Sequence, residues 1–287
     1  MVAAAERGIS IHILGRDGKP EVRIGPLDSP AFHLSASQTK LATSESGLRL
    51  ACEFIRGKIR NQSNVLRYFG KYQERRGEAR VATEMGRALI EMAEAETRLE
   101  KLFDEVNTDL ELLRGRIFSI EGRAASGYWR VVKTLIWQDV GFGGRIHQGA
   151  TDPLNASLNY GYGILYSRLS SILARTGLNL SIGFLHKPRA GKPALLFDFI
   201  EEFRAAAVDR AVLSVLNLGK SIKMGTDGRL DMDSRHELAT AVVRRLQSTV
   251  RYRAESMALQ DVAVEQSRLL VRHVEGKEEY RPWIMQW

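Results

Sequence analysis

The sequence predicts a mainly α protein that opens with a short β-hairpin and continues as a large all-helical body. Three observations carry this. Apolar residues alternate around a turn between positions 9 and 27, then take a helical period from about Ser46 to the end. None of the seven prolines interrupts a segment of helical period. The 287 residues are 44% hydrophobic and 26% charged, the balance of a globular chain that can bury a core.

In the hairpin, Ile9, Ile11 and Ile13–Leu14 form an apolar run. Arg16-Asp17-Gly18-Lys19 turns it, and Val22, Ile24 and Leu27 return. An isolated hairpin is marginal in water, so Ile9, Ile11, Ile13 and Val22 are expected to stay exposed unless covered. Leu48, Cys52, Phe54–Ile55, Ile59, Val65–Leu66 and Phe69 trace one face of a long helix that Gly70 ends or kinks. Further helices are expected over 79–107, 109–137, 153–177, 194–216 and 256–274. Asp152 before Pro153 supplies an N-cap acid and a proline at the first helical position. A second hairpin is expected over 223–232, turning at Thr226-Asp227-Gly228. Ser234 with Glu237 reads as a capping box for the next helix. The division that follows is a partial β segment over 1–33, a linker over 34–46 and a helical domain over 47–287.

Cys52 is the single cysteine, so no disulfide within the chain is possible and a cytoplasmic location is expected. No apolar run approaches the ~20 residues of a membrane span, and no membrane partner is expected. The net charge is +8, from 31 Arg and 11 Lys against 34 acids. A bias toward arginine suits phosphate recognition, and a GC-rich genome produces the same bias. Residues 56–80 carry eight cations against two acids, and residues 81–111 nine acids against three cations. Such blocks are usually solvated helix faces; the basic one also has the form of a face that tracks a phosphate backbone.

Familiar motifs fail. Gly219-Lys220-Ser221 resembles the end of a P-loop, but Ser214 stands where its first glycine belongs. Asp227, Asp231 and Asp233 lack the glycine and glutamate of a calcium loop. The segment from Gly183 to Arg204 is different. Asp198 and Glu201 lie at i, i+3 within the apolar run Phe197, Phe199, Ile200 and Phe203. Acids in such a stripe are costly unless they are paired, with Arg204 at hand, or ligate a cation. Glu121 follows another apolar run, Ile117–Ile120, with Arg123 as its alternative surface partner. His186 opens a turn rich in Lys187, Arg189 and Lys192. Carboxylates with one imidazole suit Mg2+ or Mn2+ better than zinc.

Three blocks resemble the Cas-one family, the CRISPR adaptation integrases: Ile120–Ala125, Asp152–Ala156 with Tyr160-Gly161-Tyr162, and Gly183–Arg204. Lys58–Gln62 and Tyr280–Trp283 resemble it more weakly. The resemblance implies an N-terminal β domain followed by a helical catalytic domain. It implies a divalent metal, Mg2+ or Mn2+, held by the catalytic set Glu121, His186 and Glu201, with Asp198 as a further acid in the same pocket. The implied function is a metal-dependent DNA endonuclease and integrase. It inserts short foreign DNA fragments into a CRISPR array by transesterification, working as a homodimer with the Cas-two protein.

Arg189, Lys192, Arg204, Lys58 and Arg60 are the candidate DNA contacts, with orienting the acids as the alternative role for Arg189, Lys192 and Arg204, and Tyr160 and Tyr162 are either core or lining of the DNA path. Two rivals share the fold: a catalytically impaired DNA-binding scaffold and a transposon-type integrase. The family's β domain is usually longer, and Glu6-Arg7-Gly8-Ile9 resembles its later part. Either the start lies further upstream or this is a truncated or dissected version, and weakened dimerisation is expected. Ala205 stands where a proline commonly follows the motif arginine.

Overall fold

Two antiparallel strands open the molecule, β1 (Ile11–Leu14) and β2 (Pro20–Ile24), with Ile11 opposite Ile24 and Ile13 opposite Val22. The computed structural model describes residues 11–15, 20–24, 30–74, 79–104, 109–138 and 140–286. Ile9, the turn at 16–19 and the Val22 side chain lie outside that description. Ile13 is 49% exposed, as a hairpin without a covering sheet requires.

Five long helices follow: α1 (Pro30–Ala42), α2 (Glu45–Glu74), α3 (Ala79–Glu100), α4 (Leu110–Leu135) and α5 (Pro153–Ala174). Asp109 caps α4 by accepting from the Glu111 N–H, and Asp152 caps α5 by accepting from the Asn155 N–H. A broken helical run comes next: α6 (Ala194–Phe199), α7 (Glu201–Phe203), a π-helical turn at Arg204–Asp209, and α8 (Arg210–Asn217). Helix α9 (Met232–Gln247), strands β3 (Thr249–Tyr252) and β4 (Glu255–Ala258) and helix α10 (Leu259–Val274) complete the order.

Helices α2, α3 and α4 pack on one another, and α5, α8, α9 and α10 form a second group. Helix α2 belongs to both, because it also lies against α7 and the π-helical turn. Its apolar face buries Leu48, Phe54, Ile55, Ile59 and Leu66 almost completely. Met92 and Leu99 of α3 and Ile117, Tyr128 and Val131 of α4 are buried in the same core. The hydrophobic effect thus fixes α2 at the centre, at roughly 25 cal/mol per Å2 of apolar surface removed from water.

Several expectations are corrected. The segment read as a linker is mostly α1, whose small polar residues hide its helical character. Tertiary contacts hold it: Leu34 is buried, and Gln38 Nε2 donates to the carbonyls of Asn179 and Ile182. Gly70 does not end α2; it lets α2 and Met85 of α3 approach closely. The 223–232 hairpin reduces to one bridge, Met224 with Leu230, around Gly228 at φ +72°. Asp231, not Ser234, caps α9; the Ser234 hydroxyl accepts from the Lys223 N–H instead. Helix α10 begins only at Leu259, because residues before it form β3 and β4. That turn places Arg253 at φ +52°, so no glycine advertises it. Among the described residues, no helix is long and apolar enough to cross a membrane.

Candidate active site

Arg114, Phe118 and Glu121 recur at i, i+4 and i+7 on α4, so they share one face. Arg114 Nη1 donates to the carbonyls of Phe184 and Leu185, both at 2.6 Å, and pins the following turn to α4. The Phe118 ring stands edge-on to His186, with centroids 5.6 Å apart, and Phe197 lies 5.8 Å away. Glu121, one turn beyond Phe118, reaches Lys58 of α2.

Asp198 sits in α6 and is 1% exposed. Its Oδ2 accepts from the N–H groups of Phe184 (2.5 Å) and Leu185 (3.0 Å). Its Oδ1 accepts from the His186 N–H at 3.0 Å and lies 2.6 Å from His186 Nδ1. Gly183 opens this turn because a Cβ there would run into the His186 carbonyl and Asp198 Oδ2. The carboxylate fixes the ring's tautomer and direction, with Nδ1 as donor and Nε2 free to accept. Burial works to lower the His186 pKa, but the bond to Asp198 and the Asp198 and Glu201 charges together outweigh it and raise the ring above its usual value.

Glu121 and Glu201 meet at a single ammonium. Lys58 Nζ lies 2.5 Å from Glu121 Oε1 and 2.6 Å from Glu201 Oε2. Arg204 Nε donates to Glu201 Oε1 at 2.8 Å, and its guanidinium lies 4.7 Å over the Tyr162 ring. Burial pushes the Glu201 carboxyl up, yet Arg204 and Lys58 outweigh it and hold it at about 2. Burial likewise works against the Lys58 ammonium, and Glu201 and Glu121 reverse the sign to a raised pKa. Behind this pair, Tyr162 and Tyr128 donate to Asp209 at 2.5 and 2.9 Å, so Tyr162 is a buried core residue. Burial lifts Asp209 to about 6 despite those two donors.

Arg145 stacks 5.3 Å over the same Tyr162 ring and donates to Asn155 and Asn159. It thereby draws the 141–149 loop to the rim of the site. Burial, and then the Arg145, Arg204 and Lys58 cations, lower the pKa of His147 in that loop.

The five candidate DNA contacts divide. Lys58 and Arg204 serve as counter-ions inside the site, which for Arg204 is the acid-orienting alternative. Arg60 stays exposed at the surface, where it donates to Glu96 of α3 at 2.5 Å. Arg56 pairs with Glu53 and, across to the end of α3, with Glu100. Part of the basic block is thus neutralised by the acidic block beside it. Arg189 and Lys192 remain exposed, bridged to each other across a turn in which Gly191 has φ +68°. The sequence reading missed Arg114, Phe118 and the inward role of Lys58. The i, i+4, i+7 spacing of Arg114, Phe118 and Glu121 is the signal that contained the first two.

Among the described residues, no three His, Cys, Asp or Glu side chains are gathered as a metal sphere. The Lys58 ammonium stands instead at both Glu121 and Glu201. Glu201 Oε2 is buried and in close ion contact with Lys58, without the alignment of a hydrogen bond. A carboxylate pair that already holds a positive charge, beside an imidazole with a free nitrogen, fits a hard divalent cation.

Comparison with known proteins agrees with this architecture. The sequence model described as "CRISPR associated protein Cas1" matches residues 1–244. The CRISPR-associated endonuclease Cas1 1 of Archaeoglobus fulgidus is 29% identical over 252 residues, covering 84% of this chain and 72% of the relative. A casposase bound to its integration product superposes with a TM-score of 0.79 at 21% identity, over 97% of this chain and 79% of that one. A Cas6-RT-Cas1–Cas2 complex superposes with a TM-score of 0.71 at 19% identity, over 98% of this chain and 30% of that one. With the family's sequence model spanning most of its length, the chain belongs to the Cas1 family.

Proposed function

We propose that the chain is a divalent-metal-dependent DNA integrase and endonuclease of CRISPR adaptation, joining short DNA fragments to a repeat array with a Cas2 partner. The convergence of Glu121 and Glu201 from distant parts of the chain onto one positive charge carries the reading. Glu121, His186 and Glu201 would hold Mg2+ or Mn2+, with His186 offering Nε2. When bound, that cation neutralises charge on the phosphoryl group and lowers the pKa of the attacking hydroxyl.

The reaction is a transesterification. A DNA 3′-hydroxyl attacks phosphorus in line and gives up its proton, the bond to another 3′-oxygen breaks, and the leaving oxygen takes up a proton. No protein nucleophile is needed. Asp198 acts through His186, holding the ring by its Nδ1 and therefore serving as a positioning residue rather than a ligand. Arg204 fixes one Glu201 oxygen and leaves the other turned into the site. Arg189 and Lys192, exposed beside the His186 turn, are the cations best placed to meet DNA phosphates.

The test mixes the chain, a Cas2 protein, a short duplex with free 3′-hydroxyls and a plasmid carrying a CRISPR repeat, with Mg2+ or Mn2+. Joined product is expected, and its loss in Glu121→Gln and Glu201→Gln. Joining to transposon ends but not to the repeat would assign the transposon-type role. Absence of joining and cleavage with either metal would leave the impaired scaffold.

A further inference from the structure

The charge held between Glu121 and Glu201 belongs to the protein itself. Lys58 reaches the site from α2, and Asn61, one turn further along, is tied at both ends of its side chain. Asn61 Nδ2 donates to the carbonyls of Glu202 and Trp283, and its Oδ1 accepts from the Met285 N–H. Asn64 Nδ2 donates to the Met285 carbonyl at 2.6 Å. Helix α2 is therefore anchored, and the freedom left to Lys58 is rotation of its own four-carbon stem. The ammonium is mostly buried, with 14% of the side chain exposed.

Resting on the metal-site reading above, we infer that Lys58 is a built-in counter-ion that occupies the cation position and must swing out before a divalent metal binds. The two states exclude each other. Lys58 sits at Glu121 Oε1 and Glu201 Oε2, the oxygens a metal held between these acids would take. A metal ligated at about 2.0–2.2 Å leaves no room for an ammonium in the same contacts. Two cations competing for one carboxylate pair also repel each other.

Lys58 thus does two things. It supplies the positive charge that offsets the repulsion between the Glu121 and Glu201 carboxylates in the metal-free protein. It also weakens metal binding, because apparent affinity falls by the fraction of molecules whose site is free. A site free about one tenth of the time binds about tenfold more weakly than its intrinsic affinity.

The experiment measures Mn2+ binding to the full chain without DNA, from the electron paramagnetic resonance signal of free Mn2+. Lys58→Met is expected to bind at least tenfold more tightly than the wild type. Its metal-free form should melt at lower temperature and regain stability with Mn2+. Equal or weaker binding by Lys58→Met overturns the inference.

A second measurement needs no variant. Lys58 acetylation by an N-hydroxysuccinimide ester, read by mass spectrometry, should accelerate severalfold when Mn2+ saturates the wild type. An unchanged rate overturns the inference on its own. The metal-site reading fails separately. If neither wild type nor Lys58→Met binds Mn2+, or if Glu201→Gln binds it as well as the wild type, the ligand set is wrong.

Discussion

Glu201 and Glu202 are consecutive, both buried, and chemically opposite. About 100° of helix separates them, so each faces a different half of the molecule. Glu201 looks toward Lys58 and Arg204 and stays ionised, its carboxyl held at about 2. Glu202 looks toward the C-terminal segment, where its partners are neutral. Its Oε1 accepts from Gln266 Nε2 and the Trp283 N–H, both at 2.9 Å, and its Oε2 from the Tyr280 hydroxyl at 2.5 Å. Burial outweighs those donors and lifts its carboxyl to about 8. The same residue type becomes a charged group poised for a cation on one side and a latch on the other. The difference is whether the neighbours carry charge.

The sharpest way to break this comparison is to remove each acid's charge while keeping its shape. Glu201→Gln is expected to lower DNA joining by about 10²–10³-fold or more, the size of loss that follows removal of one electrostatic element from a site. Glu202→Gln should keep most of the activity. A plasmid-joining assay on both variants decides it; loss in Glu202→Gln with retention in Glu201→Gln would reverse the assignment of the two acids.

The second difference lies in pH. Glu202 titrates near 4.5 when unfolded and near 8 when folded. Between those values the native state keeps a proton that the unfolded state has released, so stability falls as pH rises through the window. The penalty, complete above about pH 8, is of order 3–5 kcal/mol. Glu202→Gln removes this component, so its denaturation midpoint should change less between pH 5 and pH 8.5 than the wild type's. Glu201 has the opposite sign. Its depressed carboxyl stabilises the fold above the unfolded value of 4.5, and that contribution is lost as pH falls toward 2. A steeper alkaline loss in Glu202→Gln than in the wild type contradicts the latch.

The smaller effect of Asp198 tests the site's outer support. Asp198→Asn keeps an acceptor but removes the charge facing His186 Nδ1 and three backbone N–H groups. Loss of such a support typically costs 10–100-fold in activity or metal affinity. The His186 pKa, raised in the wild type, should fall in the variant, read by NMR titration of the ring. An unmoved His186 titration would show that Asp198 does not hold the ring in solution.

How much of this the chain announces depends on how far apart the partners are. Helices α2 to α5 were legible because apolar period and caps are local, as at Asp152-Pro153. The acids were legible as anomalies, since Asp198 and Glu201 interrupt an apolar run. Their different roles were not. Glu201 is turned to Lys58 by a contact that spans half the chain, whereas Asp198 is turned to the His186 turn only 12 residues before it, across a loop that follows no local period. Residues 34–46 read as a linker because the contacts that order them, Gln38 to Asn179 and Ile182, are also distant. Charge blocks misled for the same reason. A basic run counts as a binding face only if its cations are left without protein partners, and α2 pairs Arg60 with Glu96 of α3 even at the surface.

The same lesson separates the cations, and gives the smallest and most selective prediction. Lys58, Arg204 and Arg60 already face protein carboxylates, whereas Arg189 and Lys192 project into solvent from the turn after His186. Only a cation that gains a phosphate and releases counter-ions steepens the salt dependence of DNA binding, by about 0.9 in log–log slope per phosphate on duplex DNA. Arg189→Ala with Lys192→Ala should therefore flatten that slope by about 2 and weaken binding severalfold at low salt. Arg60→Ala should leave the slope unchanged, because its ion pair with Glu96 exchanges nothing on binding. Fluorescence anisotropy with a labelled duplex between 50 and 200 mM salt measures all three proteins. A flattened slope in Arg60→Ala, with none in the double variant, would mean that DNA runs along α2 and opens the pairs between α2 and α3.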